Sequence, residues 1–269
     1  MIIFKSIKVL NKNVNFNEKI GFVPTMGALH EGHISLIKAS KAKCKKTMVS
    51  IFINKPQFNK RMDFKNYPKN RSKDYKILKS LKVDYLLVPN EKDIYSSKKQ
   101  KKIKINQKDK IMCAKFRSGH FEGVLAVINQ FLLKLKPSVI FLGEKDFQQV
   151  YLIKKFVKNK FKTKVVQCKT IRDINGLPYS SRNILLNKNN LKIASDVSRL
   201  TKKFYRLLKL NLKNSKNIKW IKKKIKNKNV KIEYIEIRNK LNLSKKITKK
   251  NFKIFVAYYI DKVRLIDNF

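Results

Sequence analysis

Short apolar segments alternate with amphipathic stretches along the first two thirds of the chain. The apolar segments lack strict polar alternation, which is typical of strands that are covered on both faces. In the stretches between them, apolar residues recur at helical spacing, and Val124, Ile128 and Leu132 share one such face. The predicted strands are residues 20–23, 47–53, 85–88, 139–142 and 164–168. The predicted helices are residues 34–42, 71–81, 121–135 and 147–157.

Strands that alternate with helices predict a parallel sheet with right-handed crossovers, so residues 1–171 are expected to form an α/β domain. After about Arg172 the pattern changes to two predicted helices, 191–212 and 218–225, followed by predicted strands 230–237, 252–259 and 262–266. This order predicts a smaller α+β domain over residues 172–269. Ligands of parallel sheets collect at the carboxyl ends of strands, where His30, Asn54 and Gly143 are expected.

Composition narrows the class of protein. The 269 residues, 43% of them hydrophobic, suffice for one large domain or two smaller ones. No apolar run approaches the roughly 20 residues of a membrane span, and the first residues lack the layout of a signal peptide. The three cysteines are far apart and odd in number, which argues against a metal site or a disulfide framework. We therefore expect a cytoplasmic protein without membrane contact.

The formal net charge of +49 raises the possibility of a nucleic-acid-binding protein. However, only nine of the 66 basic residues are arginine, the residue that such sites favour. The lysines are spread along the whole chain among many Asn and Ile, and these three residues share A/T-rich codons. We therefore expect a solvated lysine surface, including the stretch 98–104, and no specific nucleic-acid partner. The positive electrostatic field of these lysines also attracts anionic substrates.

Candidate chemistry centres on His30 and His33, in the segment PTMGALHEGH at 24–33. The pair lies where a predicted strand passes through a glycine-containing loop into a predicted helix. The N–H groups and dipole of a helix start favour an anion, and imidazoles there can donate hydrogen bonds to phosphate oxygens. The alternative is a pair of histidines that only cap the helix.

Amide side chains follow the next predicted strand, at Asn54 and Gln57. Such groups can bind a small ligand by hydrogen bonds, although Asn54, close to Pro56, equally suits a turn.

Arg117 and His120 precede the most apolar predicted helix. They suit either an anion or the capping of that helix.

The segment GEKDFQQ at 143–149 begins at another predicted strand end. Lys145 can neutralise phosphate charge, Asp146 can accept a hydrogen bond from a ribose hydroxyl, and Gln149 lies on the same helical face as Lys145. The alternative is a solvated helix start, which acidic residues also favour.

The loop RDINGLPYSSRN at 172–183 places Ser180, Ser181 and Arg182 together as donors for a polyphosphate, or as a turn and helix cap. The chain contains no Walker A motif, which argues against a P-loop kinase, and no Ser–His–acid arrangement. Together these segments predict a nucleoside triphosphate beside a small polar acid.

These motifs resemble the pantoate–β-alanine ligase family of the class I nucleotidylyltransferase superfamily. The resemblance covers nearly the whole chain in the family's order and also includes VSIFINKPQF at 49–58, FRSGHFEGV at 116–124, FLGEKDFQQ at 141–149 and RLIDN at 264–268. It implies ligation of pantoate to β-alanine through a pantoyl adenylate, with release of AMP and pyrophosphate. Another nucleotidylyltransferase and a nucleic-acid-binding protein are the competing hypotheses.

The resemblance also implies roles for single residues. His33, His30 and Lys145 would be catalytic, and Gln57 and Gln149 would hold pantoate, with Gln57 also contacting β-alanine. The implied ATP-binding residues are Met26, Gly27, Ala28, Leu29, His30, Glu31, Gly32, His33, Gly143, Glu144, Lys145, Asp146, Ile171, Tyr179, Ser180, Ser181 and Arg182.

The resemblance further implies a Rossmann-like first domain, a C-terminal lid, a homodimer, and Mg²⁺ held largely by phosphates and water with no dedicated protein ligands. Four positions depart from the family pattern, in which Pro, Pro, Met and Gly are usual. These positions are Lys55, Ser118, Tyr179 and Asp261.

Overall fold

The computed structural model describes residues 1–95, 103–158, 160–212, 218–226 and 230–269. The stretch 98–104 therefore lies outside the described residues except at its last two positions. The described residues form two compact units, the first comprising Met1–Gln107 and Phe116–Thr170 and the second Lys108–Lys115 and Ile171–Phe269. In the described part of the chain, no helix combines the length and the apolar character needed to cross a bilayer.

The secondary structure follows the predicted order closely. The strands are β1 (Ile2–Phe4), β2 (Ile20–Thr25), β3 (Lys46–Ile51), β4 (Tyr85–Leu87), β5 (Val139–Gly143), β6 (Lys164–Cys168), β7 (Lys231–Asn239), β8 (Phe252–Ile260) and β9 (Val263–Asn268). The helices are α1 (Ile7–Asn13), α2 (Glu31–Lys43), α3 (Arg61–Lys65), α4 (Arg71–Ser80), α5 (Glu91–Ile94), α6 (Cys113–Phe116), α7 (His120–Leu135), α8 (Phe147–Lys158), α9 (Lys188–Leu210) and α10 (Ile218–Lys226).

The first unit contains a parallel sheet whose described strands have the order β1-β4-β3-β2-β5-β6. Phe22, Val49 and Ile140, on three adjacent strands, are fully buried, which explains why these strands do not alternate with polar residues. Close packing of α2 on β2 requires Gly21, because a Cβ there would lie 2.2 Å from Ser40 Oγ. The predicted parallel α/β fold is confirmed.

The second unit packs α9 and α10 on an antiparallel sheet with the order β7-β8-β9. The predicted order of two helices followed by three strands in an α+β domain is confirmed. Arg172 fastens the start of this unit to its last strand, since its guanidinium nitrogens donate to the Asp267 carboxylate at 2.7 and 2.8 Å. Ser198 on α9 donates to the same carboxylate at 2.8 Å. The segment RLIDN at 264–268 therefore supplies the carboxylate that links Arg172 and α9 to the last strand of this unit.

Candidate active site

The loop between β2 and α2 is held by Asp74, a residue that sequence analysis did not identify. Its carboxylate accepts hydrogen bonds from the main-chain N–H groups of Ala28 at 2.9 Å and Leu29 at 2.7 Å. Asp74 lies on α4 and is 1% exposed. The sequence contains one signal for it, because Asp74 lies one helical turn before the buried Leu78 and thus on the core-facing side of α4.

His30 is the N-cap of α2, and its Nδ1 atom accepts a hydrogen bond from the N–H of Gly32 at 3.1 Å. This bond leaves the proton of the neutral imidazole on Nε2. The rings of His30 and His33 lie against each other, with centroids 4.0 Å apart. The capping interpretation is therefore correct for His30, and the same bond orients its Nε2–H group as a donor. Glu31 is exposed in the first turn.

Both imidazoles are neutral near pH 7. Burial, followed by the charges of His33 and Lys145, lowers the pKa of His30 from 6.5 to about 2. Burial also lowers the pKa of His33 from 6.5 to about 4, while Asp146 acts to raise it and Lys145 to lower it. The Nδ1 atom of His33 is buried without a hydrogen-bond partner. The pair can therefore donate N–H groups to an anion without carrying charge beforehand.

Lys145 lies close enough to both imidazoles to lower their pKa values, which places it in the same site. It belongs to the tight turn Glu144–Asp146 that follows Gly143 at the end of β5. The Lys145 ammonium lies 3.6 Å from Asp146 Oδ1. Gln149 follows in the first turn of α8 and is partly buried.

Gln57 lies against the first residue of the histidine loop. Its Nε2 atom is 3.1 Å from Met26 Sδ, and its Oε1 atom accepts a hydrogen bond from Asn54 Nδ2 at 3.1 Å. Asn54 is 1% exposed and also bonds to the carbonyl oxygen of Gly123 at 3.0 Å and to the hydroxyl of Tyr95 at 2.7 Å. Gln57 thus lies beside Met26, and Asn54 links the turn that bears Gln57 to α7 and to the end of α5.

Arg117 and His120 contact protein groups at the start of α7. Arg117 Nη1 lies 3.0 Å from His120 Nε2, and Arg117 Nη2 lies 3.9 Å from Asp63 Oδ2. These contacts favour the structural interpretation of the two residues over direct contact with an anion.

The remaining candidates belong to the second compact unit. The carbonyl oxygen of Ile171 accepts a hydrogen bond from the N–H of Tyr179 at 3.1 Å. Ser180 caps the short turn Ser181–Leu185 by accepting from the N–H of Arg182 at 3.3 Å, and Ser181 is buried. The capping interpretation of Ser180 is therefore correct, and the structure places Ile171 and Tyr179 side by side.

The donor set suits a polyphosphate better than a protein-bound metal. Two neutral imidazoles and an ammonium group provide donors and positive charge for phosphate oxygens. Among the described residues, no three His, Cys, Asp or Glu side chains come together as a set that could hold a metal ion. A cation in this site would take its oxygen ligands mainly from a bound phosphate chain and water.

Comparisons with known proteins agree with this chemistry. A profile of the Pantoate-beta-alanine ligase family matches residues 3–269. The chain is 43% identical over 277 residues to the pantothenate synthetase of Francisella tularensis subsp. novicida, covering 100% of this chain and 97% of the relative. The Francisella philomiragia pantothenate synthetase is 43% identical over 274 residues, with the same coverage.

Two solved structures are similar over the whole chain. One is the pantoate-beta-alanine ligase of Francisella tularensis complexed with beta-gamma ATP and beta-alanine, with a TM-score of 0.86 and 40% identity, covering 100% of this chain and 97% of that one. The other is the pantothenate synthetase of Thermus thermophilus, with a TM-score of 0.92 and 26% identity, covering 100% of this chain and 99% of that one.

Proposed function

The chain belongs to the pantoate-beta-alanine ligase family, and from that premise we propose that it joins pantoate to β-alanine in two steps. In the first, a pantoate carboxylate oxygen attacks the α-phosphorus of ATP and displaces pyrophosphate, which gives pantoyl adenylate. In the second, the β-alanine amine attacks the acyl carbon, loses a proton and displaces AMP. The observation that carries this proposal is the grouping of His30, His33 and Lys145 in a chain that matches the family along its length.

The first step needs no general base, because the nucleophile is already ionised. Catalysis then consists of positioning and of stabilising the charge that develops on the phosphates. We assign the Nε2–H group of His30 and the imidazole of His33 as hydrogen-bond donors to phosphate oxygens. Lys145 supplies the positive charge, and Asp146 on the same turn accepts from the ribose.

Gln57 and Gln149 are the groups we assign to pantoate, and Gln57 also to β-alanine. Two observations support Gln57: the residue is 9% exposed, and its amide nitrogen lies beside Met26 at the start of the histidine loop. Two carboxamides can bind both the carboxylate and the hydroxyl groups of a small polar acid.

The remaining residues that we assign to ATP belong to the second compact unit. We assign adenine to the backbone of Ile171 and the triphosphate to Tyr179, Ser180, Ser181 and Arg182. In this role the unit acts as a lid that excludes water and protects the acyl adenylate from hydrolysis.

ATP enters this proposal as a substrate that Mg²⁺ accompanies. The Francisella tularensis relative crystallised with beta-gamma ATP and beta-alanine supports both as substrates here. Mg²⁺ would offset triphosphate charge, with phosphate and water oxygens as its main ligands. We further propose a homodimer in the cytoplasm, and the three free cysteines are consistent with a reducing compartment.

The decisive experiment measures pyrophosphate and AMP with each substrate omitted in turn. We expect ATP and pantoate alone to give at most one equivalent of pyrophosphate per site, and sustained turnover with equimolar AMP only when β-alanine is added. Turnover with a different carboxylic acid, and none with pantoate, would overturn the proposal. Pyrophosphate release without any acid would point to a different nucleotidyl transfer.

A further inference from the structure

We propose that Asp74 is a positioning residue for the histidine pair, because its carboxylate clamps the loop 27–29 and thereby sets where α2 begins. The inference rests on the proposed function in taking His30 and His33 as the groups that contact the ATP phosphates. It adds a residue on α4, a helix outside every assigned segment.

Both oxygens of the Asp74 carboxylate are used. Oδ2 accepts from the N–H of Ala28 and Oδ1 from the N–H of Leu29, at 2.9 and 2.7 Å. Hydrogen bonds to an ionised acceptor are about twice as strong as those between neutral groups. Because Asp74 is 1% exposed, water cannot substitute for it as the acceptor of these two N–H groups.

The loop needs such a clamp because its backbone is strained. Gly27 has a φ of +79° and Ala28 a φ of +50°, so two successive residues adopt the left-handed conformation. Ala28 is not a glycine, and this conformation persists only where surrounding contacts impose it. Space is also limited, since a Cβ at Gly27 would lie 3.0 Å from Asp74 Oδ2.

The clamp leads directly to the imidazoles. Leu29, whose N–H is held by Asp74, precedes His30, the N-cap whose Nδ1 accepts from Gly32. His30 in turn packs on His33, with ring centroids 4.0 Å apart. A shift of the loop would therefore move both donors relative to the phosphates. The N–H groups of Ala28 and Leu29 bond to the protein's own carboxylate, whereas the phosphate donors that we assign in this loop are the imidazole side chains.

The test is Asp74→Asn in the full chain, with Lys73→Gln as the matched control. Asparagine keeps the shape of the side chain but turns an amide NH₂ group towards one of the two loop N–H groups. Misplacement of reacting groups by about 1 Å costs roughly 100-fold in rate, so we expect kcat/KM for ATP to fall by about that factor. The loss should include a raised KM for ATP, with the KM for pantoate little changed. Lys73 is exposed on the same helix, and its replacement should leave both constants unchanged.

The split between constants separates positioning from a merely structural role. If Asp74 only stabilised the fold, Asp74→Asn would lower the active fraction and kcat without changing the KM for ATP. A folded Asp74→Asn enzyme with wild-type kcat and KM for ATP would overturn the inference. If this variant does not fold, Gly27→Ala disturbs the same contact from the loop side, because the added Cβ would lie 3.0 Å from Asp74 Oδ2. An unchanged KM for ATP in Gly27→Ala would equally overturn the inference. Failure of the proposed function is a separate outcome, because it would appear as absence of pantoate-dependent turnover in the wild-type chain.

Discussion

His120 Nδ1 lies 2.7 Å from the main-chain carbonyl oxygen of Gln57. A carbonyl oxygen only accepts hydrogen bonds, so Nδ1 carries the proton, and Nε2 is then the acceptor for Arg117 Nη1 at 3.0 Å. His120 is thus a neutral imidazole that fastens the start of α7 to the turn bearing Gln57. The placement of Gln57, the residue that we assign to pantoate, therefore depends on the packing of α7.

Replacing the carboxamides should weaken pantoate binding. We expect Gln57→Ala and Gln149→Ala each to raise the KM for pantoate by roughly tenfold, about the value of one lost hydrogen bond, with a smaller change in kcat. Steady-state kinetics with varied pantoate would measure this. Gln107→Ala, which changes an exposed glutamine, is the control and should behave as wild type. An unchanged KM in both site variants would refute the assignment of pantoate to these residues.

Gly123 should be intolerant of any side chain. A Cβ at this position would lie 2.6 Å from the carbonyl carbon and oxygen of Pro56 and 2.7 Å from the N atom of Gln57. Gly123→Ala must therefore push α7 away from the Gln57 turn, and we expect it to lower the free energy of unfolding by about 1–3 kcal/mol and to raise the KM for pantoate. Urea denaturation measures the first effect. Gly143→Ala is the stability control, because a Cβ there meets nothing within 4 Å.

Loss of the His33 imidazole should mainly slow turnover. By comparison with the removal of other transition-state donors, His33→Ala should lower kcat by about 10²- to 10³-fold with a smaller effect on the KM for pantoate. His120→Asn is a useful comparison, since the asparagine Nδ2 atom can occupy the position of the histidine Nδ1–H donor, and its kcat should fall far less. A wild-type kcat in His33→Ala would contradict the catalytic assignment.

The buried His33 should make the free protein less stable in acid. Its pKa is about 4 in the folded chain and near 6.5 when exposed, so between these values the unfolded chain binds a proton that the folded chain does not. Stability therefore rises with pH over this window and falls as the pH is lowered from about 6.5 towards 4. Urea midpoints measured across this range should show a shallower slope for His33→Gln than for wild type. Equal slopes would show that the imidazole does not titrate as stated.

Asp261 occupies a backbone conformation that suits glycine better. It follows β8 in a two-residue hairpin turn, and its φ of +50° is the geometry of the first central residue of a type II′ turn. Asp261→Gly should raise the free energy of unfolding by a few tenths to about 1 kcal/mol, because it relieves this strain while losing only an exposed hydrogen bond from Asn190. Lys262→Gly, at the second central position, should not stabilise the protein. Thermal denaturation of both variants would decide the point.

Several elements could be predicted because their signals are local. The central strands β2, β3 and β5 are buried on both faces, so their sequences are rich in apolar residues without strict polar alternation, and α7 carries its apolar face at regular helical spacing. By contrast, β1 was not predicted. It has three residues and pairs with β4, and a segment of this length is too short for periodicity to identify.

The site was predictable only in part. The histidine pair, the turn with Lys145 and the two glutamines follow recognisable segments, so their presence could be predicted from the residues and from the family resemblance. Asp74 could not be assigned a partner, because the N–H groups it binds lie 46 and 45 residues earlier in the chain. Likewise, Cys113 bonds to the hydroxyl of Tyr234, 121 residues away, and belongs to the second compact unit although the chain around it leads into α7.

The sequence by itself determined the α/β order, the α+β class of the C-terminal unit and the family, since each rests on periodicity or on residues adjacent along the chain. Only the tertiary structure decided which groups hold the site in place: Asp74 on the histidine loop, and His120 and Asn54 on the Gln57 turn. The physical reason is that the partners of a buried hydrogen bond are brought together by the fold. The sequence around a polar residue does not indicate which distant N–H or carbonyl group it will bond to.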